Sequence, residues 1–315
     1  MEYRTLGNTG IRVSRLCFGG LIVGPVQQNL TPEAGGEVMA YAIERGINFF
    51  DTAELYGTYD HIRYAMKKTG RFDIVISTKT YAYTRELAVK AVEGARKALD
   101  RDVIDIFMLH EQESIHTLRG HAEALDTLYD YKAKGIIRAV GASTHRVAGV
   151  EGVIQRGLDI LHPLLNVDGL GISDGSRAEM EEAVRRAHTA GIGVFTMKAL
   201  GGGNLFRRAE EAFRYILDFD GADAVAVGMQ HIDEVDANLR FFEDRCFLDA
   251  DKERLAHKLR RLHIDDWCIG CGACAARCGQ GALHIEEGHA VCDPSRCILC
   301  GYCSRVCPEW AIKIH

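Results

Sequence analysis

Short apolar runs alternate with longer amphipathic stretches along residues 1–245. The eight apolar runs are Arg15–Gly19, Ile47–Asp51, Phe72–Lys79, Ile104–His110, Ile136–Ser143, Ile160–Asn166, Ile192–Lys198 and Ala222–Gly228. Between most of them apolar residues recur at helical spacing, in windows such as Glu86–Leu99, His121–Lys134, Arg177–Ala190 and Asp233–Phe242. A chain that alternates strands and helices in this way predicts a parallel sheet.

Eight strand–helix repeats in roughly 230 residues fit a (β/α)8 barrel, the TIM-barrel architecture. A doubly wound open sheet is the alternative. When such a sheet binds a dinucleotide, a Gly-x-Gly-x-x-Gly turn follows its first strand, and no such turn follows Arg15–Gly19. The pattern therefore favours the barrel.

The residues beyond 245 follow a different pattern. A further helical segment, Asp249–Leu262, places Leu255, Leu259 and Leu262 at helical spacing, which predicts a connecting helix packed on the barrel wall. An internal repeat follows it, and each copy is expected to supply a ligand loop, a short helix and a short strand. We therefore expect a barrel at residues 1–245, a connecting helix at 246–262 and a small α+β module at 263–315.

Composition narrows the possible partners. The chain has 315 residues, of which 47% are hydrophobic, and a formal net charge of −6, which argues against nucleic acid as the main partner. No apolar run reaches the roughly 18 residues of a membrane-spanning helix. The first residues lack the basic-then-apolar layout of a signal peptide, which predicts a cytoplasmic protein without a membrane partner.

Cysteines are concentrated near the end of the chain. Of the 11 cysteines, all but Cys17 and Cys246 lie between Cys268 and Cys307. A disulfide scaffold is typical of short secreted chains, whereas clustered cysteines in a cytoplasmic chain indicate metal ligands.

The clustered cysteines follow the spacing Cys-x2-Cys-x2-Cys-x3-Cys, which occurs twice. Bacterial ferredoxins bind two [4Fe–4S] clusters with this spacing, and the fourth cysteine of each run ligates the cluster of the other run. The predicted ligands of the first cluster, cluster I, are Cys268, Cys271, Cys274 and Cys307. The predicted ligands of cluster II are Cys297, Cys300, Cys303 and Cys278. The segment resembles a two-cluster bacterial ferredoxin over nearly all of residues 263–315.

Two zinc sites with four thiolates each are the alternative interpretation. Structural zinc sites usually combine separated pairs of cysteines, so four cysteines in one short run fit a cluster better. Cys292 lies outside the repeat and is predicted to be a buried, inert thiol.

Polar residues stand where three successive apolar runs end. Asp51 ends the second run and is followed by Tyr56, Lys79 ends the third, and His110 ends the fourth. The carboxyl ends of barrel strands meet on one rim, so we expect the four side chains to lie together. A Lys held by an Asp would lower the pKa of the Tyr hydroxyl, which could then give a proton to a carbonyl oxygen oriented by the His. Taken singly, Asp51 could instead cap the following helix, Lys79 could be a surface charge, and His110 could be a hydrogen-bonded core histidine.

The barrel region resembles the aldo-keto reductase family. The segments that carry the resemblance are residues 3–10, Gly46–Ala53, Tyr56-Gly57, Ser77–Lys79, Leu109-His110 and Gly141–Ser143. The resemblance implies reduction of a small aldehyde or ketone with NADP or NAD as cofactor. It also implies that Tyr56 is the acid, that Lys79 and Asp51 tune it, and that His110 orients the carbonyl.

The same resemblance implies contacts with the nucleotide late in the barrel. These predicted cofactor-binding residues are Ser143, His162, Asn166, Lys198, Leu200, Gly201, Gly228, Met229 and Asn238. His162 stands where much of the family has a Gln. The glycine run 201–203 suits a pyrophosphate, and a flexible lid loop is its alternative interpretation. Glu234 stands where members that prefer NADP usually carry a basic residue, so both nucleotides remain candidates.

Three readings connect the two halves of the chain. In the first, the barrel reduces a carbonyl compound and the clusters serve electron transfer, docking or regulation. In the second, a redox protein such as a ferredoxin supplies electrons through the clusters, and the nicotinamide site is weak or lost. In the third, the protein is mainly an electron-transfer or redox-sensing partner. We also expect the module to close or flank the barrel mouth, because it stands where the family has long specificity loops.

Overall fold

Eight parallel strands close into a barrel in the computed structural model, which describes residues 1–256 and 260–314. A two-stranded hairpin, β1 (Tyr3–Thr5) and β2 (Arg12–Ser14), precedes the barrel. The barrel strands are β3 (Leu16–Gly19), β4 (Phe49–Asp51), β5 (Val75–Thr80), β6 (Ile104–Leu109), β7 (Ile137–Thr144), β8 (Ile160–Pro163), β9 (Gly193–Thr196) and β10 (Ala224–Gly228). Each of the eight predicted apolar runs coincides with one of them, although β5 and β7 extend one residue beyond their runs, to Thr80 and Thr144. This agreement confirms the (β/α)8 barrel. The barrel closes where β10 pairs with β3, with Ala226 opposite Cys17.

Helices follow the strands and bury their apolar faces against the barrel. They are α1 (Pro32–Glu44), α2 (Tyr59–Thr69), α3 (Arg85–Leu99), α4 (Ile115–Gly120), α5 (Ala122–Ala133), α6 (Val147–Arg156), α7 (Arg177–Thr189), α8 (Ala209–Asp218) and α9 (Ile232–Asp244). Local sequence sets their ends, as in α7, where the Ser176 hydroxyl and the Glu179 side chain cap each other's backbone amides. No helix in the described part of the chain is long and apolar enough to cross a membrane.

The hairpin of β1 and β2 is an element that the periodicity did not predict. Its two strands are only three residues long, too short to show an alternating pattern. The turn between them and the start of β2 bury Leu6, Ile11 and Val13 in the barrel interior, in one cluster with Phe49 and Phe195. The hairpin therefore fills the end of the barrel opposite the strands' carboxyl ends.

The predicted connecting helix is shorter than the sequence indicates. Helix α10 (Asp249–Ala256) packs against α9, and Asp251 accepts from Arg240 at 2.9 Å. Leu262 is not helical: it begins strand β11 (Leu262–Ile264). The predicted helix was wrong at Leu262, because this residue pairs with Ile314 in a two-stranded sheet. Leu259 lies outside the described residues.

The rest of the module links the two cysteine repeats. It contains α11 (Ala273–Arg277), β12 (Leu283–Glu286), β13 (His289–Cys292) and β14 (Ile312–Ile314). The second repeat has a 3-10 turn, Ser304–Val306, where the first has α11. Strands β12 and β13 form a hairpin, whereas β11 pairs with β14, so the strand entering the first repeat is joined to the strand leaving the second.

The module sits on the carboxyl-end face of the barrel. Trp310 packs with Leu170 and Leu205 of the barrel in one apolar cluster. The amide of Ile314 donates to the backbone oxygen of Gly202 at 3.0 Å. The side-chain amide of Asn204 donates to the backbone oxygen of Ile312 at 3.3 Å. The module therefore flanks the barrel mouth on the side where the strands end.

The glycine run after β9, residues 201–203, lies in close contact with strand β14. Gly203 has a φ of +83°, and a Cβ there would lie 1.8 Å from the backbone oxygen of Ile314. A Cβ on Gly202 would meet the Lys313 side chain at 2.7 Å. These glycines leave room for the Ile314 backbone and the Lys313 side chain to lie close to the loop.

Replacing Gly203 by alanine tests this contact with β14. We expect Gly203→Ala to weaken the docking of β14 by about 1–3 kcal/mol, because alanine is strained at this φ and its Cβ would displace the strand. The measurement is the thermal unfolding midpoint of the cluster-loaded protein, which should fall. Gly94→Ala, in the open surface of α3, is the matched control and should leave the midpoint unchanged or slightly higher. Equal midpoints for Gly203→Ala and the unaltered protein would contradict this close contact between Gly203 and β14.

Candidate active site

The structure brings the four predicted rim residues together. Asp51 ends β4, Tyr56 follows it in a 3-10 turn, Lys79 lies in β5, and His110 directly follows β6. The Lys79 ammonium donates to both carboxylate oxygens of Asp51 at 2.8 Å and to the backbone oxygen of Thr52 at 2.8 Å. Both side chains are buried, so this is an ion pair shielded from solvent.

Tyr56 and His110 face each other beside this ion pair. The Tyr56 hydroxyl lies 3.5 Å from His110 Nε2, and the Lys79 ammonium lies 4.9 Å from the centroid of the Tyr56 ring. Tyr81 stacks on His110 with ring centroids 4.5 Å apart, which fixes the plane of the imidazole. A carbonyl oxygen placed between the hydroxyl and Nε2 could therefore accept from both groups.

Burial decides the protonation of Tyr56. Desolvation raises the pKa of Tyr56 well above its usual value, and the carboxylates of Asp51 and Glu111 raise it further. The sequence-based expectation was a pKa lowered by Lys79. The structure differs because desolvation and the nearby carboxylates dominate the pKa of Tyr56, whereas Lys79 is paired with Asp51. Tyr56 is therefore a protonated hydroxyl throughout the neutral range.

Burial also keeps His110 neutral. Desolvation lowers the pKa of His110 well below its usual value, and the Lys79 ammonium lowers it further. For Asp51 the balance is opposite: burial alone would raise its pKa, but Lys79 and His162 hold that pKa well below the usual range. The rim thus contains an ionised Asp, a neutral His and a protonated Tyr.

His162 belongs to the same group of side chains. Its Nδ1 lies 2.6 Å from the backbone oxygen of Phe195, its Nε2 lies 3.5 Å from Asp51, and its ring stacks on Phe195. The structure therefore places this predicted cofactor-binding residue beside the ion pair, with one edge on the cavity.

A cavity of about 860 Å³ opens in front of these residues. Barrel residues such as Asp51, Tyr56 and His110 form its floor, and Trp267 and Trp310 of the module form part of its wall. This volume lies within the range of small-molecule and cofactor sites, which is roughly 300–1,000 Å³. The cavity is therefore built jointly by the barrel and the module.

The predicted nucleotide contacts divide into two groups. Residues that line the cavity are His162, Lys198, Leu200 and Gly228. Residues absent from its lining are Ser143, Asn166, Gly201, Met229 and Asn238.

Two residues of the second group use their side chains inside the protein. The Asn166 side chain both donates to and accepts from the backbone of Leu170 at 2.9 Å, and the Ser143 hydroxyl accepts from the Glu111 amide at 2.9 Å. The sequence shows that these residues are polar, but it does not show that their hydrogen bonds are made inside the protein.

A smaller cavity matches the predicted ligands of cluster I. Among the residues around it are Cys268, Cys271, Cys274 and Cys307. In each repeat the fourth cysteine accepts a backbone amide bond at 3.3 Å, from Ala282 to Cys278 and from Ala311 to Cys307. Amide bonds to cysteine sulfur tune iron–sulfur sites, so this donor set fits clusters.

The same geometry bears on the zinc alternative. A structural zinc ion needs four ligands that converge on one point. Within residues 1–256 and 260–314, no three His, Cys, Asp or Glu side chains converge in that way.

Cys292, predicted to be buried, is half-buried instead. Burial raises the pKa of its thiol and the charge of Cys297 raises it further, which favours the protonated, unreactive form.

Several residues of the cavity were not predicted from the sequence. Tyr81 and Glu111 follow Lys79 and His110 closely, so the rule that strand ends form the rim could have found them. Trp310 and Lys313 could not be found by that rule, since they come from the module.

Comparisons with known proteins agree with this architecture. The sequence profile of the aldo/keto reductase family matches residues 15–212, and that of the 4Fe-4S dicluster domain matches residues 267–311. The solved structure of aldo-keto reductase AKR11C1 from Bacillus halodurans, in its holo form, has a TM-score of 0.65 and 22% identity. The match covers 81% of this chain and 94% of that chain, and at this identity it shows the fold alone.

Two curated relatives match over part of their length. The probable voltage-gated potassium channel subunit beta of Oryza sativa subsp. japonica is 26% identical over 219 residues, which are 65% of this chain and 66% of that protein. Aldo-keto reductase YhdN of Bacillus subtilis (strain 168) is 30% identical over 162 residues, which are 47% of this chain and 48% of that protein. This chain thus spans slightly less than two thirds of the first relative and about half of the second. Because the family profile covers more than half of its residues, the chain belongs to the aldo/keto reductase family, and a 4Fe-4S dicluster domain follows its barrel.

Proposed function

We propose that this protein is an oxidoreductase that reduces a small aldehyde or ketone, or catalyses the reverse reaction, with NADPH or NADH. The observation that carries the proposal is the convergence of Tyr56, His110 and the Lys79–Asp51 pair on one wall of the cavity. Membership of the aldo/keto reductase family supports it.

Tyr56 is the proton donor of the proposed reaction. The carbonyl oxygen lies between its hydroxyl and His110 Nε2, and neutral His110 donates an N–H bond that orients the oxygen. As negative charge develops on the oxygen, Tyr56 gives up its proton. The Lys79 ammonium, 4.9 Å from the ring, then stabilises the tyrosinate, while Asp51 holds Lys79 in place.

A nicotinamide dinucleotide, when bound, supplies the hydride. The cavity has the volume for it, and Leu200, Gly228 and Gln230 line the part of the wall that is built by the last two barrel strands. Arg260 adds a cation there, 3.8 Å from Glu234. The three wall residues and Arg260 would hold the dinucleotide. Because Arg260 partly pairs with Glu234, the Glu234 carboxylate repels a 2′-phosphate less strongly.

A second candidate function follows from the position of cluster I. The cavity around its four cysteines and the catalytic cavity share two wall residues, Pro308 and Glu309. This proximity favours a relay in which electrons pass between a redox protein such as a ferredoxin and the catalytic cavity through the clusters. In the first candidate, the two clusters serve docking or regulation instead.

Tyr56→Phe tests the proton donor. Removing the hydroxyl should lower kcat/KM for carbonyl reduction by about 100-fold or more, because this hydroxyl, 3.5 Å from His110 Nε2, is the group that would give the proton. Steady-state assays with an aldehyde series measure this, with the visible cluster absorption as a check on folding. Tyr83→Phe, an exposed ring outside the cavity, is the matched control. Unchanged turnover in Tyr56→Phe would remove Tyr56 as the acid.

Four single Cys→Ala variants test the crossed ligation. We expect the variants at Cys307 and Cys268 to lose the same cluster, and those at Cys278 and Cys297 to lose the other. Each should retain about four of about eight iron atoms, measured by iron analysis, and the remaining cluster should be recognisable by its paramagnetic resonance spectrum. Cys246→Ala, outside the module, is the control and should lose no iron. A spectrum of Cys307→Ala that matches Cys297→Ala would contradict the assignment.

An anaerobic titration separates the two candidate functions. Hydride transfer moves two electrons together and clusters move one at a time, so we expect NADPH or NADH alone to leave the cluster absorption unchanged. Nucleotide binding is measured separately by calorimetry. Bleaching of the clusters by either nucleotide would favour the relay instead.

A further inference from the structure

Lys198 differs from the other cations on the cavity wall. Arg146, Arg260 and Lys313 each lie within 4 Å of a carboxylate oxygen: Glu113 at 3.4 Å, Glu234 at 3.8 Å and Asp265 at 3.2 Å. Within residues 1–256 and 260–314, no such oxygen lies within that distance of the Lys198 ammonium. Lys198 therefore brings an uncompensated positive charge to the cavity.

A histidine is the side-chain partner of Lys198. The ammonium lies 3.0 Å from His145 Nε2. Desolvation, followed by the charge of Lys198, lowers the pKa of His145 well below its usual value, so the imidazole is neutral and accepts one N–H bond. This bond fixes the position of the ammonium without neutralising its charge. The remaining protons are available to a ligand in the cavity.

The backbone also holds Lys198 in place. Its φ is +60°, a left-handed conformation that is strained for a lysine, and the Gly201 amide donates to its backbone oxygen at 2.7 Å. Strain of this kind is concentrated where side chains are positioned for function.

A chain of contacts joins Lys198 to the carbonyl-orienting histidine. His145 Nε2 lies 3.8 Å from a carboxylate oxygen of Glu111, Tyr81 donates to Glu111 at 2.7 Å, and Tyr81 stacks on His110. The ammonium thus belongs to the same wall as the proton donor, on the side of β6 and β7.

We propose that Lys198 binds the anionic group of the substrate, so that the carbonyl compound reduced at Tyr56 also carries a carboxylate. This inference rests on the proposed function. An ammonium removed from bulk water and left unpaired is strongly stabilised by an anion, and an oxo acid offers that anion beside its carbonyl group. A dinucleotide phosphate has the same anionic chemistry, but another cation serves that part of the wall: Arg260 lies 3.8 Å from Glu234, which accepts from the Gln230 amide at 2.8 Å.

The charge state of Lys198 supports this role. Desolvation, followed by the charge of Lys313, lowers the pKa of Lys198 to about 7. The titratable groups that face it are Lys79 on β5, Glu111 after β6, His145 after β7, Asp265 after β11 and Lys313 on β14. Lys198 is charged below this pKa and loses its charge as pH rises through it. Binding of a carboxylate should therefore weaken above about pH 7.

The test compares oxo acids of increasing chain length, each with its methyl ester, on the cluster-loaded protein. We expect at least one acid to be preferred over its ester by about 10–100-fold in kcat/KM, the effect of a charged hydrogen bond. Lys198→Met should abolish that preference by lowering kcat/KM for the acid to the value for its ester. Lys198→Arg should retain the preference and remove its fall above pH 7, because an arginine stays charged. Lys67→Met, at an exposed lysine, is the control.

Two outcomes overturn the inference. One is that no acid is preferred over its ester. The other is that the preference survives in Lys198→Met, and weaker dinucleotide binding by that variant would then assign the lysine to a phosphate.

A binding measurement separates this inference from the proposed function. If no carbonyl compound is turned over, the proposed function fails, and calorimetry with carboxylic acids that lack the carbonyl group still tests Lys198. Binding of such an acid that is lost in Lys198→Met and kept in Lys198→Arg supports the anion site. Equal binding by all three proteins overturns it.

Discussion

The buried ion pair between Lys79 and Asp51 sets the chemistry of the rim. Both side chains are buried, and removing one partner from such a pair typically costs about 3–5 kcal/mol. With both present, Lys79 and His162 keep Asp51 ionised, while burial keeps His110 neutral and Tyr56 protonated. The protonation states along the rim therefore follow from this pair and from the burial around it.

The sequence predicted the parts of the site that depend on topology. Asp51, Tyr56, Lys79 and His110 could be placed together because the carboxyl ends of parallel barrel strands meet on one face. The cysteine repeat was equally informative, since its spacing is fixed by the size of the group that it binds. Features that depend on tertiary contact could not be predicted. Leu262 has helical spacing but pairs with Ile314 in a sheet, because a partner remote in sequence decides its conformation.

The glycine run after β9 shows the same limit. From sequence, Gly201 and its neighbours suit a phosphate or a mobile lid, because both need a backbone free of Cβ atoms. In the fold, Gly202 and Gly203 carry the module. The module is thus part of the large cavity at the barrel mouth, and Trp310 and Lys313 contribute to its walls. What the barrel can bind is decided in part by residues of an iron–sulfur domain.

The pairing of β11 with β14 also orders the events of synthesis. Strand β14 is made after all the barrel strands, and Cys307 precedes it by only a few residues. Domains generally fold in order as they leave the ribosome, so the barrel can form before Cys307 and β14 have been made. The part of the cavity wall that β14 forms beside Gly202 is therefore completed late, together with the second cysteine repeat.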